Sequence, residues 1–226
     1  MEQVTLKRIS TDDLTERIIS ENTKIIDIRP VEAYNGWKLE NEKRGGHIKS
    51  AKSLPFKWSK YIDWIEIVRS KNINPGDTLI IYGYDTNSIT KSAEQFYKTG
   101  FNNVLVYNDF KNEWSEYDKY PMEKMERYTQ LVSPKWLKGL PENGTTSNYD
   151  NNKFVICHAH YQNKKGYDEG HIPGAISVDT NSLENPETWN RRSPEELKIT
   201  LENYGITHDT TVILYGRFSY PNNNDS

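Results

Sequence analysis

The sequence predicts an α/β protein of two domains, each a parallel sheet flanked by helices, the second of them incomplete. Three observations carry this. The stretch Asp168-Glu-Gly-His-Ile-Pro-Gly-Ala-Ile-Ser-Val-Asp179 has a weaker echo in Arg44-Gly-Gly-His-Ile-Lys-Ser-Ala-Lys-Ser-Leu54. Downstream of each lies a second matched pair, Gly76-Asp-Thr-Leu-Ile-Ile-Tyr-Gly83 and His208-Asp-Thr-Thr-Val-Ile-Leu-Tyr-Gly216. Two landmarks recurring in the same order mean one unit used twice. Around them, short β-branched runs alternate with segments of helical apolar spacing, the pattern of strands laid parallel and joined by crossover helices.

In the first unit, Val4-Thr-Leu6 is a candidate strand. Ser10 can cap a following helix with Asp13 near its positive end, and Leu14, Ile18 and Ile19 share a face. Lys24-Ile-Ile-Asp-Ile-Arg29, bounded by Asn22 and Pro30, reads as a buried strand. Asp27 and Arg29 project from one side of it and are placed to pair or to tie down neighbouring loops. Pro30 to Gly46, with Tyr34-Asn-Gly-Trp37, reads as an ordered polar excursion. Phe56 to Arg69 reads as one amphipathic helix, with Trp58, Ile62, Ile65 and Val68 on its apolar stripe. Asn74-Pro-Gly-Asp77 turns the chain into the strand Thr78 to Tyr82. A helix from about Ser88 then stops at Gly100, and Asn103 to Asn108 adds a last strand.

The second unit starts near Leu131, and the domains are expected at 1–127 and 128–226. Ser133-Pro134 is a cap with proline at the first helical position, and Gly139 to Asn152 is rich in turn residues. Phe154-Val-Ile-Cys157 matches Ile25 to Ile28. Ser193-Pro-Glu-Glu196 is a capping box opening a helix through Leu197, Leu201 and Tyr204 to Gly205. Thr211 to Tyr215 matches Leu79 to Tyr82. After Gly216 the correspondence stops, so the second unit is expected to lack its last third.

Composition narrows the function classes. The formal net charge is -3, with Lys and Arg scattered rather than gathered into a stripe, which gives a nucleic-acid partner no electrostatic support. The start has no apolar signal-peptide core, and no apolar run approaches membrane length; a cytoplasmic location is expected. A hydrophobic fraction of 35% is low, and the 15 Tyr and 6 Trp supply large rings for the cores. The single cysteine excludes an intrachain disulfide and a cysteine-rich zinc site.

Ile26-Asp-Ile-Arg29 with Gly45-Gly-His-Ile48, and Gly170-His-Ile-Pro-Gly-Ala175 with Arg192-Ser-Pro-Glu195 and Thr211 to Gly216, resemble the rhodanese family of sulfurtransferases in its tandem-domain form. The resemblance covers nearly the whole chain. It implies a five-stranded parallel sheet per domain with a reactive loop after the fourth strand, leading into a helix. A cysteine at such a helix mouth is held as thiolate by the free N-H groups, becomes a persulfide, and passes its outer sulfur to a thiol or cyanide. The implied ligand is a small sulfur-containing anion, such as thiosulfate, or a persulfide donor; no cofactor and no metal are implied.

This sequence departs from that pattern at the decisive atom. Counting back from Thr99-Gly100-Phe101 places the family cysteine at Gly83, and the rest of the loop at Tyr84, Asp85, Thr86, Asn87 and Ser88. In the second unit the equivalent place is Gly216, with Arg217 next. Tyr84 to Ser88 and Arg217 remain candidates for binding an anion, although Asp85 opposes one and Ser88 reads first as a helix cap. Cys157 is the only candidate nucleophile; in a strand interior it reads first as a small core residue. His158 and His160 face one side of that strand, two metal ligands without a third. His47 and His171 recur in the repeated turn, which favours a structural hydrogen bond over general-base duty.

The first reading is therefore a rhodanese-like sulfurtransferase polypeptide of which this chain is the non-catalytic N-terminal domains, similar to multi-domain members in which only the last domain is catalytic. The alternative is an inactive rhodanese-like module that docks a partner or a small anion. A phosphatase or arsenate reductase of related fold is set aside, because each also needs a loop cysteine. In the family's sheet order the fifth strand lies between the first and the fourth. Thr211 to Tyr215 is accordingly expected as an open edge of the second domain, available to a protein partner or to self-association.

Overall fold

The computed structural model describes residues 6–143, 149 and 153–216. The chain divides into two compact units, Met1–Pro134 and Lys135–Ser226, a boundary seven residues beyond the expected 127/128 division.

The first unit runs β1 (Lys7–Arg8), α1 (Thr11–Arg17), β2 (Thr23–Asp27), α2 (Val31–Asn35), β3 (His47–Ile48), β4 (Lys52–Ser53), α3 (Trp64–Ser70), β5 (Thr78–Tyr82), α4 (Thr86–Lys98), β6 (Val104–Tyr107) and β7 (Met122–Glu123). Five strands form one sheet in the order β1-β6-β5-β2-β4, every pair parallel. The last-made strand β6 sits between β1 and β5, so the crossovers must lie on the faces, and both faces are covered. Ile26, Leu79 and Ile81 pack with Trp64, Val68, Ile89 and Phe96 on one side. Ile25, Ile80 and Tyr82 pack with Leu14, Phe110 and Trp114 on the other. Each side chain of this size contributes about 1.5–3 kcal/mol when fully buried.

Several elements differ from the sequence expectation. The first strand is Lys7–Arg8, pairing with Leu105 and Val106, rather than Val4 to Leu6, of which Val4 and Thr5 lie outside the described residues. Leu14 is buried on α1 but Ile19 is exposed, because the helix has already ended at Arg17. The polar excursion contains the short helix α2, with Ala33 and Asn35 buried. The expected single helix over Phe56 to Arg69 is two pieces, a 3-10 turn at Phe56–Lys60 and then α3. Tyr61 is extended between them, and this break rotates Ile62 into solvent and puts Trp64 in the core. Helix α4 starts two residues before Ser88 and is capped by Asp85.

The second unit runs α5 (Pro134–Asn143), β8 (Phe154–His160), α6 (Lys165–Glu169), β9 (Ile176–Asp179), α7 (Pro194–Asn203) and β10 (Thr211–Tyr215). Its described strands form a parallel sheet in the order β10-β8-β9. Helix α5 continues to Asn143, into the stretch expected as loop; most of 144–152 lies outside the described residues. Strand β8 continues to His160, three residues past Cys157. The capping box is formed: the Glu196 amide donates to Ser193 Oγ at 3.3 Å, and the Ser193 amide donates to Glu196 Oε2 at 3.1 Å. Together these satisfy two otherwise orphaned donors of α7.

Candidate functional site

The carboxyl ends of β2 and β5 in the first unit hold a buried charge network. Asp27, Arg29 and Glu42 are all buried. Arg29 Nη2 donates to Asp27 Oδ2 at 2.6 Å and to the Gly46 carbonyl at 2.6 Å, while Nη1 donates to Glu42 Oε1 at 2.5 Å. The guanidinium lies 4.0 Å from the Phe110 ring centroid. Burial alone would lower the arginine's pKa, but Asp27, with help from Glu42, holds it well above its ordinary value. Burial pushes the Glu42 carboxyl up, with Arg29 opposing. The expectation that Asp27 and Arg29 pair and tie down a loop is met, the Gly46 carbonyl being that loop. Glu42, the third member, carried no sequence signal, since a lone glutamate in a polar excursion looks like any solvated charge.

This network is closed on itself. With Asp27, Glu42 and Gly46 as acceptors, the guanidinium serves the fold and is not presented to an incoming anion.

The loop that follows β5 is short: Tyr82 ends the strand and Thr86 starts α4, leaving Gly83, Tyr84 and Asp85. A Cβ at Gly83 would stand 2.8 Å from Ile28 Cγ1, inside contact distance. Asp85 Oδ1 accepts the Ser88 amide at 2.8 Å, and that bond holds the carboxyl below its ordinary value. The helix mouth that could hold an anion is thus already occupied by the chain's own carboxylate. Thr86, Asn87 and Ser88 form the first turn of α4. Tyr84 lays its ring 5.5 Å from the Arg29 guanidinium. Arg29, Glu32, Phe56, Lys57, Tyr84 and Asp85 line a cleft of about 330 Å³ here. Its charges are mixed, with Glu32 and Asp85 set against Lys57.

The second unit repeats the frame with different chemistry. Asp27 pairs in register with Tyr82, and His158 with Tyr215, so Phe154 to Cys157 correspond to Thr23 to Ile26 rather than to Ile25 to Ile28, and His158 stands where Asp27 does and His160 where Arg29 does. The two imidazoles lie 6.0 Å apart, His160 Nε2 is 2.8 Å from Ser177 Oγ, and Nδ1 of each ring is buried without a hydrogen bond among the described residues. Among the described residues, no group of three or more His, Cys, Asp or Glu side chains is placed to hold a metal. His158, Glu169, Tyr215 and Gly216 line a cleft of about 380 Å³. A Cβ at Gly216 would stand 2.9 Å from the Ala159 carbonyl oxygen. Arg217 lies outside the described residues.

Cys157 is buried at 1% exposure in the middle of β8, and burial pushes its thiol up. It lines neither cleft. A buried, protonated thiol is a poor nucleophile.

The repeated histidines are built identically. His47 Nδ1 donates to the Tyr34 carbonyl at 2.7 Å and its ring stacks on Tyr34 at 3.7 Å; His171 Nδ1 donates to the Tyr167 carbonyl at 2.9 Å and stacks on Tyr167 at 3.9 Å. Each of those tyrosines then donates to the backbone four residues beyond its histidine, Tyr34 to Ala51 and Tyr167 to Ala175. The residue after each histidine donates its amide to the tyrosine that ends the matching strand, Ile48 to Tyr82 and Ile172 to Tyr215. Sequence reading placed the histidines in this structural role but missed their tyrosine partners. Tyr34 precedes its histidine by thirteen residues and Tyr167 by four, so no common spacing announces them.

Two stretches of the chain, residues 10–117 and 133–224, match the family model of the Rhodanese-like domain. The chain belongs to the rhodanese family. Among curated proteins, the chain is 31% identical over 208 residues to the thiosulfate sulfurtransferase YnjE of Escherichia coli (strain K12), covering 91% of the present chain and 46% of that one. Among solved structures, it is 49% identical, at a TM-score of 0.92, to the anaerobic ergothioneine biosynthesis enzyme from Chlorobium limicola in complex with trimethyl histidine, covering 98% of this chain and 52% of that one. The wild-type structure of EanB matches at 49% identity and a TM-score of 0.91, with 51% of that chain covered. The chain thus spans about half the length of these relatives. No helix among the described residues is long and apolar enough to cross a membrane.

Proposed function

We propose that this chain forms non-catalytic rhodanese domains of a sulfurtransferase polypeptide, and that sulfur transfer is the parent activity. The observation that carries the reading is Gly83, wedged against Ile28 at the head of a helix whose mouth Asp85 already fills. In the parent reaction a thiolate attacks the outer sulfur of thiosulfate. The new S-S bond forms as the old one breaks and sulfite leaves; the outer sulfur then moves to a nucleophilic acceptor. Neither loop position here offers sulfur for the first step, and Cys157 is buried and protonated. The 49% identity to an ergothioneine biosynthesis enzyme supports a trimethylated histidine as acceptor of the parent protein. On this reading the two units are scaffold rather than sulfur carriers.

Incubation with thiosulfate and cyanide tests this. No thiocyanate is expected, and the intact mass should show no added sulfur. Turnover persisting in Cys157→Ala would mean that another group carries the sulfur and would end the reading.

The runner-up is a rhodanese-like module that has kept its clefts for binding. The mixed charges around Tyr84 and Asp85 favour a zwitterion over a simple anion in that case, and calorimetric titration with thiosulfate against trimethyl histidine separates the two.

A further inference from the structure

Two lysines far apart in the sequence share one face of the first unit. Lys52 on β4 pairs in register with Ile26 of β2, and registered partners in a parallel sheet point to the same side. Ile26 packs with Trp64, Val68 and Ile73, so Lys52 stands on the face that α3 covers. Lys71 closes the C-terminus of α3. Trp58 packs against the same core, and its ring lies 5.7 Å from Lys71 Nζ.

Among the described residues neither amine has a carboxylate partner, whereas Lys43, Lys153, Lys164, Lys165 and Lys198 each have one. The end of α3 does not take the place of one. The carbonyls of Ile67, Val68 and Arg69 already accept from Ser70 Oγ and from the amides of Lys71 and Asn72, at 2.8, 3.1 and 2.9 Å. An indole 5.7 Å away is near the outer limit of a useful cation–π contact, so it sheds water from the amine more than it anchors the charge. Lys71 is partly buried and Lys52 exposed. Burial first, and the Lys52 charge second, bring the Lys71 amine below the ordinary lysine value. An amine so placed, desolvated and beside another cation, is a better nucleophile at neutral pH than a solvated one.

We propose that Lys71 is an acylation site whose donor is an acyl phosphate. Lys52 draws the anionic phosphate, which sets the adjoining carbonyl carbon beside the Lys71 amine. The amine lone pair forms the C–N bond, the bond from the carbonyl carbon to the phosphate oxygen breaks, and hydrogen phosphate leaves with the amine's proton. Nothing is oxidised or reduced. An acyl phosphate suits two neighbouring lysines because its anion and its electrophile share one oxygen atom. The amide product is neutral, which ends the repulsion between the two side chains. None of Lys52, Trp58 and Lys71 lines the cleft at Tyr84 and Asp85, so the site is independent of the sulfur-transfer reading.

The probe is acetyl phosphate, added to the full chain, with acetylation at each lysine followed by peptide mass spectrometry. Lys71 should react at least about threefold faster than the exposed Lys57 and Lys60 of the neighbouring 3-10 turn, the size of effect that a nearby like charge has at a partly solvated group. Lys52→Gln, a change at an exposed side chain, should bring Lys71 down to their rate, and Lys52→Arg should preserve the lead. The uncharged reagent N-acetoxysuccinimide should give Lys71 a smaller lead than acetyl phosphate does, because Lys52 has no anion to draw. A Lys71 rate equal to those of Lys57 and Lys60, or one unchanged by Lys52→Gln, would overturn the proposal. So would an equal lead with both reagents, which would leave a reactive amine with no place for the phosphate.

Discussion

His171 lies flat on Tyr167, the ring centroids 3.9 Å apart and the planes 5° from parallel, as His47 lies on Tyr34 at 3.7 Å and 5°. The histidine ring both stacks and donates to the carbonyl of the residue beneath it, so one side chain fixes where the turn meets the sheet. Loss of His47, which is buried, should cost about 1–3 kcal/mol in urea unfolding, and loss of the exposed His171 about 0.5–1.5 kcal/mol. Equal costs for His47→Ala and His171→Ala would show that burial does not set the strength of the hydrogen bond.

Arg29 joins two carboxylates in the interior, and Arg29→Ala would leave both without their cation. A loss of about 3–5 kcal/mol is expected, large enough that the variant is scored by soluble yield and thermal melting together.

Glu42 sets a pH dependence. Its folded carboxyl is raised above the ordinary 4.5, burial being the larger cause and Arg29 the opposing one. The associated stability is full below 4.5 and is lost as pH rises through the folded value. Glu42→Gln has no proton to lose. Its stability relative to the parent should therefore rise across that window, as measured by urea midpoints taken on both sides of it.

Gly83→Cys asks whether replacing the glycine restores the chemistry. The new Cβ meets Ile28, so a destabilisation of about 1–3 kcal/mol is expected, relieved in part by Ile28→Val. Thiocyanate formation should remain absent, because Asp85 still occupies the Ser88 amide. Robust turnover from this single change would show that the short loop is no obstacle.

Asp85→Ala removes the cap of α4 and should cost about 1 kcal/mol in thermal unfolding. Asp85→Asn, which keeps an acceptor, should recover most of it.

Strand interiors were readable from sequence because β-branched runs such as Thr78 to Tyr82 are local signals, and the Ser193 cap was readable because its box spans four residues. The break between Phe56 and Ser70 was not, since apolar residues at helical spacing fit one helix or two equally well. The core selected Trp64 over Ile62. Tyr34 and Glu42 were invisible for the same kind of reason: each meets its partner thirteen residues away in the chain, at no helical or strand spacing.

The amino-acid order by itself determined the duplicated α/β plan, the strands that carry it and the lack of a thiol at Gly83 and Gly216, because each follows from residue types at short spacing. Folding decided what those glycines touch, that Glu42 closes on Arg29, and that Val212 and Leu214 on β10 are exposed while Leu79 and Ile81 on β5 are buried. These are contacts between residues far apart in the chain, and a contact at that range is set by packing, which no local pattern encodes.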